Sequence, residues 1–389
     1  MSITAAQGFR AAGVAAGLKS TGAPDLALVV NDGPQLAAAG VFTSNRVKAA
    51  PVLWSQQVLS GGRLHAVVLN SGGANACTGP LGFQDTHATA EQVGAALGVS
   101  PGEVAVCSTG LIGVRLPIEA LLAGIGTAAA ELAPTADAGA AAAEAIRTTD
   151  TVAKQAAVTV ATDTGSFTVG GMAKGAGMLA PGLATMLVVL TTDAAAEAAE
   201  LDAALRAATA VTFDRVDSDG CMSTNDSVLL LASGASGVHP PVGELTDAVT
   251  AVCADLAGQL IADAEGATKQ IAIEVVRAAS EPDAVEVGRA VARSNLLKCA
   301  IHGEDPNWGR VLAAVGTTRA QFLPERLAVA MNGVWVCRDG AAGDDRALVD
   351  LSAPEVRVVV DLAAGDRSAT VWTNDLTADY VHENSAYSS

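Results

Sequence analysis

One stretch of the chain, KGAGMLAPGLATMLVVLTTD from Lys174 to Asp193, constrains the fold more than any other. Its second half, from Met186 to Leu190, is a short unbroken apolar run of the kind that a fully buried strand carries. Its first half contains three glycines, a proline and one lysine, a composition typical of a loop. The stretch therefore predicts a loop that leads directly into the protein core, with Thr185 at the junction.

Two interpretations of Thr185 are open at this point. Threonine is common in strands, so the residue can be purely structural. Alternatively, its hydroxyl is a nucleophile presented at the end of a rigid strand. The five histidines are dispersed, without HxxxH or HExxH spacing, so catalysis in this chain needs a base other than histidine.

The remaining sequence alternates between strand-like and helical segments. Short β-like runs precede the stretch and alternate with alanine-rich helical segments, and two strands joined by a turn at 163–166 lead into it. Helices are predicted from Ala194 and over 244–263, and several strand-like segments surround a helix over 284–298. The pattern predicts an α/β fold with layered sheets and helices, in which residues 185–270 complete the main domain and about 271–389 form a smaller C-terminal α/β domain.

Composition excludes several classes of function. The net charge of −18 repels phosphate backbones and anionic membranes, and an aromatic content of 3% provides few surfaces on which bases could stack. No run of about 18 apolar residues is present and the N-terminus lacks a signal sequence, so we expect a cytoplasmic protein that binds neither nucleic acid nor membranes. The six cysteines have no CxxC spacing, and no cluster of cysteine and histidine predicts a metal site.

Several polar motifs are candidates for chemistry. The loop GGMAKGAG lacks the order of a phosphate-binding loop, because Gly175 follows Lys174 and a strand rather than a helix comes next. In CSTGLIG, Thr109 and Gly110 can place a hydroxyl beside a backbone N–H, as an oxyanion site requires, although the same residues also suit an ordinary turn. RTTDT and DAEGATK are more often capping or turn features than ligand sites. HGEDPNWGR and the polar C-terminal tail are unusually rich in functional groups.

These motifs together resemble those of the ornithine acetyltransferase family of arginine biosynthesis. The blocks that match the family, in family order, are GFRAAGVAAGLK, VFTSNRVKAAPV, NSGGANACTG, STGLIG, TTDT, KGAGMLAPGLATML, STND, DAEGATK, HGEDPNWGR and DLTADYVHENSAYSS. The resemblance covers essentially the whole chain. Gly182, Leu183 and the pair Asp263–Ala264 depart from the usual family residues, and none of them removes a side chain that the mechanism requires.

The resemblance implies a precursor that cuts itself between Ala184 and Thr185. The products would be an α chain, residues 1–184, and a β chain, residues 185–389. Thr185 would then supply the nucleophilic hydroxyl and, through its freed α-amino group, the general base.

It also implies the other residues of the site. Thr109 and Gly110 match the oxyanion pair, and the substrate-contacting positions match Thr148, Lys174, Thr185, Glu265, Asn384 and Ser389. The choice between Thr148 and its neighbour Thr149 stays open, with the match favouring Thr148. Lysine suits the carboxylate of an amino-acid substrate and glutamate its ammonium group.

The implied function is glutamate N-acetyltransferase, which moves acetyl from N-acetylornithine to glutamate without a metal or cofactor. Some family members also accept acetyl-CoA, and both donors stay open here. The family resemblance also implies an assembly of two α and two β chains. The alternatives are an amidase with an N-terminal nucleophile, which would pass the acyl group to water, and a metabolite-binding protein whose chain stays intact.

Overall fold

The computed structural model describes residues 2–180 and 186–386. Within them the chain forms three sheets, and helices cover the sheets. The strands are β1 Phe9–Val14, β2 Leu26–Asn31, β3 Ala38–Phe42, β4 Ala66–Asn70, β5 Val104–Ser108, β6 Lys154–Thr162, β7 Gly165–Lys174, β8 Leu187–Thr192, β9 Ser227–Ala232, β10 Gln270–Ala278, β11 Ala328–Met331, β12 Val334–Arg338, β13 Ala341–Ala342, β14 Glu355–Asp361 and β15 Arg367–Asn374. The helices are α1 Ala50–Leu59, α2 Gly79–Leu97, α3 Ile118–Glu131, α4 Ala136–Ala145, α5 Ala198–Val211, α6 Val242–Ala262, α7 Glu281–Ala292, α8 Asn295–His302, α9 Trp308–Val315 and α10 Ala378–Ala386.

Two of the sheets pack face to face. The first has the strand order β1-β2-β4-β5 and the second has the order β3-β9-β8-β7-β6. Apolar side chains of both sheets and of α4 form one core between them. Helices α2 and α3 cover the outer face of the first sheet, and α5 and α6 cover the outer face of the second. The result is a layered α/β fold, as the sequence predicts.

Strand β8 shows why the apolar run was informative. Every residue from Leu187 to Thr192 is buried. Leu187 and Val189 point into the core between the sheets, whereas Val188 and Leu190 point to the core under α5 and α6. A strand that is buried on both faces needs apolar residues at successive positions, which is the observed pattern.

Helix α6 is long and apolar enough to cross a membrane by length and composition alone. Half of its apolar window is buried inside the fold, and its apolar face, including Val252 and Leu256, packs on the second sheet. This is the pattern of a core helix in a globular protein.

The third sheet has the order β13-β12-β11-β14-β10-β15 and lies after α6 in the chain. Its core side chains pack against α7, α8 and α9. The helix predicted over 284–298 is two helices, because α7 ends at Ala292 and Ser294 starts α8 by accepting a hydrogen bond from Leu297 N. The C-terminal helix α10 lies against Gly266, where a Cβ would come within 2.2 Å of Tyr380 N.

Candidate active site

Lys174 is the centre of the candidate site. It is the last residue of β7 and is only 2% exposed, so the predicted loop begins after it. Its Nζ donates to Thr148 Oγ1 at 2.7 Å and to Thr109 Oγ1 at 3.3 Å. Three residues predicted from separate motifs therefore meet through one ammonium group. Both hydroxyl oxygens accept hydrogen bonds from Lys174, which leaves both O–H groups available to donate elsewhere.

Two strand ends bring Thr109 to Lys174. Thr109 directly follows β5, and its N–H donates to Asn70 O at the end of the adjacent β4. Its carbonyl accepts the N–H of Gly73, which continues the pairing by one residue. Because both ends are held by main-chain bonds, the hydroxyl of Thr109 has a fixed position in the site.

Gly110 has a backbone conformation that requires glycine. Its φ is +127°, and a Cβ at this position would lie 2.8 Å from Gly73 N. Within the described residues its N–H donates to no acceptor, and neither does the hydroxyl of Thr109. Two adjacent donors without partners can stabilise the negative oxygen of a tetrahedral intermediate.

Asp150 positions the segment that carries Thr148. Its carboxylate accepts hydrogen bonds from Gly175 N at 2.6 Å and from Thr148 N at 3.0 Å, and it pairs with Lys154 Nζ at 2.7 Å. Burial alone would raise the pKa of Asp150, but Lys174 and Lys154 outweigh it and hold the pKa well below the usual range. Asp150 therefore stays charged and ties the two sides of the site together.

The two buried lysines differ in their partners. Lys154, which is fully buried, contacts Asp150 at 2.7 Å and Asp263 at 2.5 Å. Lys174 lies 3.9 Å from the nearest oxygen of Asp150, and its burial lowers its pKa. Lys154 thus has two carboxylates in contact, whereas Lys174 donates to two neutral hydroxyls and has one N–H left for a negatively charged group.

Glu265 and Asn384 form a second part of the site. Glu265 is 8% exposed and accepts a hydrogen bond from Asn384 Nδ2 on α10 at 2.8 Å. Its main-chain N–H donates to Ala176 O, two residues after Lys174. A side chain at Gly177 would collide with the Glu265 carboxylate, since a Cβ there lies 2.6 Å from Oε2. The structure therefore brings Glu265 and Asn384 together beside the loop that follows Lys174.

Ala184, Thr185 and Ser389 lie outside the described residues. The nearest described residue after Thr185 is Met186, whose N–H donates to Asp226 Oδ1 at 3.2 Å. The next residue, Leu187, pairs with Lys174 across β7 and β8.

A cavity of about 490 Å³ opens beside Gly110 and Thr148. Its wall includes the charged side chains of Lys19, Glu144 and Arg147. Lys19 donates to the carbonyls of Pro24 and Arg147, and Arg147 pairs with Glu144. The cavity has room for a small molecule next to Gly110 and Thr148.

Sequence reasoning missed three charged residues of the site, namely Asp150, Lys154 and Asp263. Asp150 lies in the motif TTDT and Asp263 in DAEGATK, both of which suit capping or turn roles. Lys154 joins the two, and 109 positions separate it from Asp263. The polar clusters TTDT and DAEGATK were a usable signal for the two aspartates. The contact between Lys154 and Asp263 leaves no local sequence pattern, because the two residues are far apart in the chain.

Comparison with known proteins gives a consistent family assignment. A family model described as the ArgJ family matches residues 10–389. The arginine biosynthesis bifunctional protein ArgJ of Streptomyces avermitilis is 70% identical over 389 residues and is covered in full, as is this chain. The protein of the same name from Thermobifida fusca is 65% identical over 393 residues, again with 100% of both chains covered.

A solved structure is also similar to this chain. The crystal structure of ornithine acetyltransferase in complex with ornithine, from Mycobacterium tuberculosis, is 61% identical. The match covers 48% of this chain and 96% of that chain, with a TM-score of 0.45.

Proposed function

This chain belongs to the ArgJ family, and we propose that it is a glutamate N-acetyltransferase of arginine biosynthesis that moves acetyl from N-acetylornithine to glutamate. The observation that carries the proposal is the contact of Lys174 with Thr109 and Thr148. The contact places a cation that can bind a carboxylate beside Thr109, which with Gly110 N–H can stabilise an oxyanion. An acyl group carried by an amino acid needs both.

Thr185 is the proposed nucleophile, first in processing. Its hydroxyl oxygen attacks the carbonyl carbon of Ala184, the peptide C–N bond breaks, and the proton passes to the freed amine. Water then hydrolyses the ester, which leaves chains 1–184 and 185–389. The new α-amino group has an ordinary pKa of about 7.7–8.0, well suited to taking the hydroxyl proton near neutral pH.

Acetyl transfer uses the hydroxyl and the α-amino group of Thr185. The Thr185 hydroxyl attacks the acetyl carbonyl of N-acetylornithine, and the oxyanion is stabilised by the Thr109 hydroxyl and Gly110 N–H. The amide C–N bond breaks, and the α-ammonium of Thr185 returns its proton to the leaving amine of ornithine. The amine of glutamate then attacks the acetyl ester and the ester C–O bond breaks. The proton lost by that amine passes through the Thr185 α-amine to the Thr185 hydroxyl oxygen, which restores the enzyme.

The remaining site residues are proposed to bind the amino-acid substrates. Lys174 takes a carboxylate and Glu265 an ammonium group, while Thr148, Asn384 and Ser389 contribute neutral hydrogen bonds. The support for Glu265 and Asn384 is their 2.8 Å contact beside the loop that leads to Thr185.

A kinetic experiment tests this function. Because ornithine must leave before glutamate enters, initial rates should give parallel double-reciprocal lines. Labelled ornithine should also exchange into N-acetylornithine when glutamate is absent. A sequential pattern without exchange contradicts the covalent intermediate, and acetate release at the same rate with and without glutamate indicates an amidase instead. Acetyl-CoA supplied as the donor in a parallel assay tests whether this chain also makes N-acetylglutamate from that donor, a second activity that we propose because its relatives are named bifunctional proteins.

The substrates are small molecules. We further propose a cytoplasmic assembly of two α and two β chains. The division into a catalytic domain through residue 270 and a smaller domain over about 271–389 is kept as a proposal, and the separate core of the third sheet supports it.

A further inference from the structure

Asp226 lies in the row of residues at which the central strands of the second sheet begin or end. Lys174 pairs with Leu187, and Leu187 pairs with Ser227 on β9. Asp226 precedes Ser227 in the chain, as Met186 precedes Leu187, so the two preceding residues are neighbours. Asp226 is fully buried. Its carboxyl group is therefore held beside the main chain that directly follows Thr185.

Only one oxygen of Asp226 has a well-formed partner within the described residues. Oδ1 accepts the N–H of Met186 at 3.2 Å, while Oδ2 is buried and has no hydrogen bond there. The hydroxyls of Thr43 and Ser223 are near and favour the charged form. Neither is aligned to bond Oδ2, and the Thr43 hydroxyl donates instead to Ser223 O at 2.8 Å. A buried oxygen without a partner is costly, so this one calls for an explanation.

Burial of the Asp226 carboxylate is only partly offset by its neighbours. The charged side chain that acts on it most strongly is Lys174, which is already engaged with Thr109 and Thr148. Burial consequently raises the pKa of Asp226 well above its usual value. A buried acid in this state would be stabilised by a cation that arises next to Oδ2.

We infer that Asp226 is a positioning residue for Thr185, which binds the α-amino group that cleavage frees. The inference rests on the proposed function. The α-nitrogen of Thr185 and the amide nitrogen of Met186 are consecutive main-chain nitrogens, separated by the Cα and the carbonyl carbon of Thr185. One carboxylate can accept from both, one through each oxygen.

The chemical consequence resembles that of the aspartate in a serine-protease triad. When the amine of Thr185 takes the proton of its own hydroxyl, it becomes an ammonium ion. The carboxylate of Asp226 orients the amine and stabilises that ammonium without taking the proton itself. The hydroxyl is then the nucleophile, the amine is the base, and the carboxylate orients the amine.

The test replaces Asp226 by asparagine and uses Asp217→Asn as the matched control. Asparagine keeps an oxygen that can accept Met186 N–H but cannot carry charge. Asp217 lies in the same connection between α5 and β9, is fully buried, and also has one oxygen without a partner among the described residues. It pairs instead with Arg293 at 2.7 Å, away from the predicted site residues.

Asp226→Asn is expected to fold, shown by a melting temperature close to that of Asp217→Asn. Its chain should stay uncut when wild type is fully processed, or its cut form should show kcat lowered by about 10²-fold or more with little change in KM. In the cut form the acid limb of the kcat/KM profile should move to lower pH. The reason is that loss of the carboxylate destabilises the ammonium and lowers the pKa of the amine. If the asparagine variant does not fold, Asp226→Ser keeps an acceptor for Met186 and is measured in its place.

Three outcomes separate the inference from the function on which it rests. A variant that is cut normally, with kcat within about threefold of wild type and an unmoved acid limb, overturns the role of Asp226 alone. An equal loss in Asp217→Asn overturns it too, since any buried acid would then have the same effect. Wild-type protein that is active without a cut at Ala184–Thr185 contradicts the proposed function instead.

Discussion

Two buried aspartates, Asp226 in the candidate site and Asp375 beside the third sheet, satisfy their carboxyl groups in different ways. Asp375 accepts from the N–H and hydroxyl of Thr268 at 2.8 and 2.5 Å, from Lys269 N at 2.9 Å and from His302 Nδ1 at 2.9 Å. We call these four residues, Thr268, Lys269, His302 and Asp375, the clasp. Among residues 2–180 and 186–386, Asp226 has one such donor, Met186 N.

The pKa directions follow from this difference. Burial opposes the charged form at both sites, but the donors around Asp375 prevail and its pKa is lowered. At Asp226 burial prevails and the pKa is raised. Every donor of the clasp belongs to the described chain, whereas in the site Asp226 Oδ2, Gly110 N–H and the Thr109 hydroxyl have no partner of their own among the described residues. Such capacity is expected where a reaction supplies the missing partner.

The largest difference between a site substitution and a clasp substitution is expected at Thr185. Thr185→Ala removes the oxygen that attacks, so the chain should stay at 38.6 kDa and show no transfer, with an unchanged melting temperature. Gel electrophoresis and the transfer assay measure both effects. Thr185→Ser is the control, because it retains the oxygen and should still be cut, though more slowly. An active, cut alanine variant would place the nucleophile elsewhere.

The next largest effect is expected at Thr109. Thr109→Ala, measured on cut enzyme, should lower kcat by about 10²–10³-fold with little change in KM, because the lost hydroxyl serves the transition state. Thr89→Ala is the matched control, a buried threonine whose hydroxyl donates to Asp85 O within α2. A loss below about threefold would mean that Thr109 is only a turn residue.

A smaller effect is expected from Lys174→Met. Removal of a charged hydrogen bond to the substrate carboxylate costs about 1.5–3 kcal/mol, which lowers kcat/KM by about 10–100-fold, mainly through KM. Lys298→Met is the control, since Lys298 is also buried and its pKa is likewise lowered by burial. Equal KM values for the two variants would contradict a substrate contact at Lys174.

The clasp should show the opposite behaviour. Asp375→Asn should lower the free energy of unfolding by about 1.5–3 kcal/mol while folded, cut enzyme keeps kcat within about threefold. Because the pKa of Asp375 is lowered, its contribution is complete above the unfolded-state pKa of about 3.9 and is lost as the pH falls through the folded-state value. Urea unfolding curves of variant and wild type should therefore converge in acid. A lower kcat with an unchanged free energy of unfolding would contradict the structural role of the clasp.

Much of the fold could be predicted because its signals are local. The apolar run before Thr192 predicts the buried strand β8, and the alternation of strands and helices predicts the layered architecture. Helix starts were less accurate. The helix predicted from Ala194 begins at Ala198, since Glu197 and Glu200 form a capping box there.

The candidate site was only partly predictable from the residues. Family motifs indicated Thr109, Lys174 and Glu265, whereas the counterions Asp150 and Asp263 depend on contacts between distant elements. The motif HGEDPNWGR was singled out as a candidate functional loop because of its density of polar groups. Two of its residues, His302 and Glu304, contact the clasp residues Asp375 and Lys269, so its density of polar groups serves structure.

The central claim is that Thr185 becomes an N-terminal residue and carries the acetyl group. The most direct measurement incubates purified protein with N-acetylornithine but no glutamate, stops the reaction in acid and determines the masses of the peptides. The account predicts two chains that together make up 38.6 kDa, one beginning Thr-Met-Leu-Val-Val, with one acetyl group on its first residue that disappears when glutamate is added. An active protein that remains one full-length chain, or a Thr185 peptide that never gains acetyl while transfer proceeds, would contradict it.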